Sequence, residues 1–334
     1  MRSFTILWLG QILSLIGSAM TWFAFTIWAW EVTGKASALA TISFFAFLPT
    51  VLFSPIAGAY VDRWNRKLVM LLSDLAAAIG TLTIFLIYTF GELQIWHIYL
   101  VSILAGFFTA FQYPAYSAAV TTMLSKEDYP RAEGMLGSVR ALSGILAPVF
   151  AAALLGRIGL SGIMLIDLVT FLFAFGTLLL IHIPQPKQTA TGLEGKGTLW
   201  QEVRFGFRYI NEKKSLRALT ILFMAAGVFL AIGATLMAPL VLKGTNNDES
   251  ALATVLSVGA VGGIVGGVFS ARHLLVQLPY LLGILAAGYL AEIAAIPVVL
   301  VSAGVLGMLT FVMGYAVQSV RNVEIILPDA AEMA

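Results

Sequence analysis

The chain has 334 residues, of which 60% are hydrophobic and 11% charged, with a mean hydropathy of +0.94. A soluble domain carries about 25% charged residues, so this composition specifies a membrane protein. The absence of cysteine excludes disulfides, thiol catalysis and cysteine metal sites, and the net charge of +2 is scattered over loops, a sign of orientation in a bilayer and not of nucleic acid binding.

In chain order, Ser3 to Trp30 is an uncharged run of 28 residues. It is too long for the apolar region of a signal peptide and no small-residue cleavage site follows, so it reads as a first transmembrane helix. A second uncharged run, Ala36 to Val61, leads into Gly58-Ala-Tyr-Val-Asp62-Arg63-Trp-Asn-Arg66-Lys67, and another apolar run begins at Leu68. Cutting the chain where charges and turn residues cluster gives ten spans, at about 5–30, 38–61, 68–90, 96–122, 136–157, 162–183, 217–242, 251–271, 274–291 and 296–317. Each is long enough for a hydrocarbon core of about 30 Å. With the N-terminus inside, 15 of the 19 basic residues face the cytoplasm, Lys35, Arg157 and Lys243 lie outside, and Arg140 falls within a span. This positive-inside bias places both termini in the cytoplasm.

Charges inside spans are costly and mark functional positions. Asp74 lies about two turns into span three, Arg140 about one turn into span five, and Asp167 about one and a half turns into span six. Proton coupling requires a carboxyl whose charged form is disfavoured by desolvation, and Asp74 and Asp167 are the candidates. Arg140 is placed either to snorkel to the inner surface or to pair with an acidic residue such as Asp74. In span five, Gly134, Ser143, Ala147, Pro148, Ala151 and Ala152 supply small residues for close packing, and Pro148 allows a bend. His97, His182 and His273 are scattered, with no metal, phosphate-loop or catalytic-triad pattern. No cofactor and no enzymatic activity are expected.

The hydrophilic segment Pro184 to Ser215 divides the spans six and four. Its Thr/Gly-rich first part reads as a linker. Thr198 to Ile210 places Leu199, Val203 and Phe207 on one helical face, as an amphipathic helix on the inner leaflet would. The two parts of the chain share short repeats. Ser37-Ala-Leu-Ala-Thr41 recurs as Ser250-Ala-Leu-Ala-Thr254, an offset of 213, and Gly144-Ile-Leu-Ala147 recurs as Gly283-Ile-Leu-Ala286, an offset of 139. The difference, 213 − 139 = 74 residues, is the length of two helices with their loops.

The glycine, acidic and basic order from Gly58 to Lys67 resembles the G-x-x-x-D-R-x-x-R-K signature between helices 2 and 3 of major facilitator superfamily transporters. Several other segments are similar to the drug-efflux branch that includes macrolide exporters and the enterobactin exporter. They are Trp8-Leu-Gly10-Gln11, Ser54-Pro55-Ile-Ala-Gly58, Leu72-Ser-Asp74, Ser138-Val-Arg140 and Ile166-Asp167. The span-five residues resemble a weak form of that superfamily's antiporter signature. The resemblance implies an all-α integral membrane fold of two bundles, with about ten transmembrane helices (6 + 4) instead of twelve, spans nine and ten matching helices 11 and 12. Its parts would be a six-helix bundle at 1–183, a cytoplasmic linker at 184–215, an incomplete bundle at 216–320 and a cytoplasmic tail at 321–334.

The implied function is efflux of a small hydrophobic or amphipathic substrate, macrolide-like or siderophore-like, by alternating access across the bacterial cytoplasmic membrane, driven by a proton gradient. Gly58 is expected to let two helices approach closely, Asp62 to sit against the positive end of a neighbouring helix, and Arg63, Arg66 and Lys67 to hold the turn in the cytoplasm. The second copy of that motif is missing, since Gly266-Gly267 is followed by Val-Phe-Ser-Ala271-Arg272. This motivates a second reading, a non-transporting membrane protein derived from such an exporter.

Overall fold

The computed structural model describes residues 2–61, 64–184, 208, 210–266 and 274–316. In a bilayer every backbone polar group must be bonded within its own segment. Accordingly, every regular element among these residues is helical. They are α1 (Arg2–Thr33), α2 (Ala36–Val61), α3 (Arg66–Phe90), α4 (Ile95–Met123), a short 3₁₀ turn (Lys126–Asp128), α5 (Tyr129–Leu180), α6 (Lys214–Gly244), α7 (Glu249–Gly266), α8 (Leu274–Ile293) and α9 (Ile296–Ala316). Within them, six helices have the length and hydropathy to cross a membrane, α5 counted once.

α5 is a hairpin. Gly159 sits at φ 65°, ψ −177°, a conformation open essentially to glycine alone. The two arms run in opposite directions. Trp8 Nε1 donates to the Met135 carbonyl at 2.9 Å near the start of the first arm, and Gly10 lies against Ala174 and Thr177 near the end of the second. α1 therefore packs along both arms.

Three helix starts are capped by side chains. Asn65 Oδ1 accepts the Leu68 N–H at 3.2 Å to open α3, Gln94 and His97 form a reciprocal box at the start of α4, and Asp248 Oδ1 accepts the Ser250 N–H at 2.8 Å to open α7. Such caps satisfy N–H groups that the first turn leaves unpaired.

α2 packs on α4, α3 on α4 and α5, and α6 on α8 and α9. Between the two groups, α2 meets α8 and α5 meets α7. The sequence repeats relate α2 to α7 and α5 to α8, so each crossing contact is the other with its members exchanged. A two-fold relation between the two parts requires that pattern.

The two groups also touch at one end, which carries the 34–35, 91–94 and 245–248 connections and is called the far end below. There Trp30 Nε1 donates to Asn247 Oδ1 at 2.9 Å, and Ser37 Oγ donates to Glu292 Oε1. A side chain on Gly288 would lie 2.7 Å from Ala40 Cβ. A buried cluster of residues between Met20 and Ile42, joined by Ala147, Ala151, Leu160, Ile163, Leu242 and Leu252, lies toward the same end.

Candidate functional site

A cavity of about 300 Å³ lies inside the first group of helices, between α1, α3, α4 and the second arm of α5. Asp74 and Asp167 both line it, at 5% and 4% exposure. Each carboxylate is held by neutral donors. Gln11 Nε2 donates to Asp74 Oδ2 at 3.1 Å, and Gln112 Nε2 donates to Asp74 Oδ1. Ser18 Oγ donates to Asp167 Oδ1 and Thr81 Oγ1 to Asp167 Oδ2, both at 2.9 Å.

Gln11 and Ser18 are seven residues apart on α1, as are Asp74 and Thr81 on α3. Seven residues are nearly two turns, about 10 Å, so the site has two polar rungs at different depths. Interhelical hydrogen bonds of this kind contribute roughly 0.6–2 kcal/mol each in a membrane. No basic side chain lines the cavity among the described residues. The Thr21 hydroxyl, 2% exposed, also lines this cavity and makes no hydrogen bond.

A second cavity, about 480 Å³, lies between the two groups of helices. Trp22, Phe47, Tyr280 and Ile284 give it an apolar wall, with Ser43, Thr50 and Thr235 as scattered hydroxyls. The Phe47 and Tyr280 rings meet edge to face at 5.4 Å. Trp22, Ala105 and Thr109 line both cavities. An aromatic chamber thus shares a wall with a polar chamber holding two carboxylates.

The glycine at 106 fixes this wall. A side chain there would collide with the Ala46 carbonyl, and the Thr50 hydroxyl donates to the Gly106 carbonyl at 2.8 Å. α2 and α4 touch backbone to backbone at this level.

The Major Facilitator Superfamily model matches residues 7–323. The chain belongs to the Major Facilitator Superfamily. Macrolide efflux protein A of Streptococcus pyogenes is 32% identical over 220 residues, covering 65% of this chain and 53% of that protein. The chain therefore spans about half the length of the curated relatives it matches. Two solved structures share the fold. A bacterial homologue of the human lysosomal transporter Spinster, inward-facing and unoccupied, aligns with TM-score 0.60 and 15% identity over 95% of this chain and 80% of its own. A bacterial homologue of the iron transporter ferroportin, in an inward-facing state, aligns with TM-score 0.55 and 14% identity over 97% and 94%. Membership places the chain in a transporter superfamily of membrane proteins, not among enzymes.

The superfamily turn between α2 and α3 is partly described. Asp62 and Arg63 lie outside the described residues. Arg66, 8% exposed, donates from Nη1 to the Ala118 carbonyl at 2.7 Å. Lys67 Nζ donates to the Leu179 and Ile181 carbonyls at 2.8 and 2.7 Å. Lys67 thus satisfies carbonyls at the end of α5, where the helix dipole also favours a cation.

Gly58 departs from expectation. A side chain there meets nothing within 4 Å among the described residues, whereas Gly106 and Gly283 make the tight backbone contacts. Close approach therefore occurs at other glycines, at mid-helix where α2 crosses α4 and α6 crosses α8, and also at Gly17 and Gly288. Gly134 is likewise open. The rest of the span-five set is buried or half-buried, and Ala147 and Ala151 pack with Leu252 and Ala253 of α7. Ser257 Oγ donates to the Ile145 carbonyl at 2.9 Å across the same contact. The Arg140 side chain lies outside the described set, and both oxygens of Asp74 are taken by glutamine amides.

Sequence reasoning assigned no role to Gln11, Ser18, Thr21, Thr81, Gln112 or the Trp22–Phe47–Tyr280 wall. The matched seven-residue spacing of polar residues on α1 and α3 was the available signal, because polar residues in lipid seek partners on neighbouring helices.

Proposed function

We propose that the chain is a secondary exporter. The aromatic cavity between the two groups of helices takes a hydrophobic or amphipathic compound, of macrolide or siderophore type, and Asp74 and Asp167 exchange protons in the adjoining chamber. The shared wall of Trp22, Ala105 and Thr109 carries this reading, because it lets occupancy of one chamber be felt in the other. The name of the S. pyogenes relative agrees with the substrate class. The excess of basic residues supports a cytoplasmic α2–α3 turn and cytoplasmic termini in a bacterial membrane, and in this reading the far end faces outward and is the closed one. In this reading the chain divides at 184–215 into a six-span bundle and a shorter one, with Asp62 and Arg66 stabilising the state closed on the cytoplasmic side.

Gradient-driven transport in proteoliposomes tests the coupling. Asp74→Asn and Asp167→Asn should each abolish response to an imposed proton gradient while substrate still binds; full response in both variants would overturn it. Asp62→Asn should raise drug accumulation in cells at unchanged membrane abundance, and unchanged accumulation removes the gating role.

A second reading, a non-transporting derivative of such an exporter, is favoured by the 74-residue difference between the repeat offsets. Purified protein that binds substrate but transports none under any gradient would support it.

A further inference from the structure

The two carboxylates are served by different chemistry. At Asp74 the partners are amide N–H groups, which can complete a carboxylate but offer a cation nothing from the same atoms. At Asp167 the partners are hydroxyls, each of which keeps oxygen lone pairs after donating its proton. A third hydroxyl, Thr21, is buried in the lining of the same chamber with no hydrogen-bond partner. An orphaned hydroxyl costs stability away from water, and so does a buried carboxylate with no positive partner. Both deficits lie in one chamber.

We infer that Asp167, with the hydroxyl oxygens of Ser18, Thr21 and Thr81, forms a binding site for a small dehydrated monovalent cation, sodium. The donors are all hard oxygens, which suit alkali and alkaline-earth cations and not thiophilic metals. One carboxylate balances one charge. The second carboxylate, Asp74, is a full rung away, about 10 Å along α3, which disfavours a divalent ion needing both. Gly17 keeps the cage tight. A side chain there would stand 3.3 Å from Asp167 Oδ1 and 3.1 Å from its Cα, so α1 lies directly on the carboxylate. Asp74 and Asp167 are the titratable groups lining this cavity among the described residues, so sodium and a proton compete there for the same carboxyl. The site deepens the coupling reading of the same chamber and rests on it for its purpose, but its existence is measured without transport.

Binding of radioactive sodium to the purified full chain in detergent, followed by scintillation proximity, is the direct test. Saturable binding is expected, displaced by unlabelled sodium, unaffected by potassium or choline at equal ionic strength, and weakened by acid. Thr21→Val should weaken it by about tenfold or more, a loss of about 1.4 kcal/mol, while raising the melting temperature in sodium-free buffer, because the orphan hydroxyl is gone. Asp167→Asn should abolish binding, and Asp74→Asn should retain it. Ser18→Ala serves as a second cage variant should Asp167→Asn fail to fold. No saturable binding by the wild-type chain would overturn the inference, as would binding unchanged by Thr21→Val and Ser18→Ala. Acid-sensitive behaviour without sodium binding would identify a proton-only site, overturning the inference while leaving the export reading intact. Sodium binding with no transport would do the reverse.

Discussion

Asp74 and Asp167 come from helices far apart in the chain, yet they occupy successive rungs of one ladder between α1 and α3. Gln11 binds the first and Ser18 the second. Thr81, seven residues after Asp74, closes the second rung. The match works because α1 and α3 run in the same direction, so equal sequence steps on both reach equal depths.

The Asp74 rung should behave as one unit. Gln112→Leu leaves a buried carboxylate oxygen without its donor, at a cost of about 1–3 kcal/mol. Asp74→Leu combined with Gln112→Leu should cost less than the sum of the two single changes, since the second removal takes away the partner the first had orphaned, while Gln11 loses its acceptor equally in both Asp74 variants. Thermal melts of the four proteins in one detergent measure the coupling. Strict additivity would mean that Gln112 and Asp74 do not interact.

How much of this was readable from the residues alone varies with the physics that fixes each part. Long apolar runs announce spans, since a bilayer admits little else, and the superfamily was visible in the order of residues from Gly58 to Lys67. Asp74 and Asp167 stood out because a charge in lipid is costly, and both line the polar chamber. Their partners did not stand out. Ser, Thr and Gln are tolerated in spans for many reasons, and only three-dimensional register shows that Gln11 and Gln112 converge. The misplacement of close packing at Gly58, when Gly106 and Gly283 provide it, has the same origin: a glycine in sequence does not reveal which helix crosses it. The α2–α8 and α5–α7 contacts were latent in two short repeats, whose significance depends on their exchange in space.

The far end carries a pH response. Glu249 is pushed above the usual carboxylate value of 4.5 by burial first, then by the nearby charges of Glu31 and Asp248. Its folded value is raised, so its favourable contribution is fully present below 4.5 and is lost as pH rises through the raised value. The wild-type chain should therefore gain thermal stability relative to Glu249→Gln as pH falls through that window. The gain should be small and shrink with added salt, because the group is partly exposed. Parallel melting curves across acidic pH would refute the repulsion at this junction.

Closure of the far end is open to chemical trapping. Ser37 of α2 and Glu292 of α8 are in hydrogen-bond contact, and Gly288 lies against the Ser37 backbone. Since the chain has no cysteine, Ser37→Cys with Glu292→Cys gives a unique pair. Oxidation should link α2 to α8 with the far end shut, block transport, and be reversed by a thiol reductant. Each single variant should be insensitive to oxidant. A pair that forms its bond yet transports at the wild-type rate would show that this end never needs to open.

The two repeat offsets differ by 74 residues. α9 packs mainly on α6 and barely on α8, and among the described residues its remaining face is open, with Val301 67% and Met308 73% exposed. Lipid covers such a face without strain, but helix association in lipid depends on packing and hydrogen bonds. On the reading that two helices are absent, the chain loses contacts that lipid does not replace. We expect the chain to melt lower than a twelve-helix relative and to export weakly as a monomer. Inserting the corresponding segment of a full-length relative after Ala271 should raise the melting temperature and restore efflux together. Proton-driven export by the unmodified monomer in liposomes, at a rate matching the chimera, would show that α6 to α9 suffice without it.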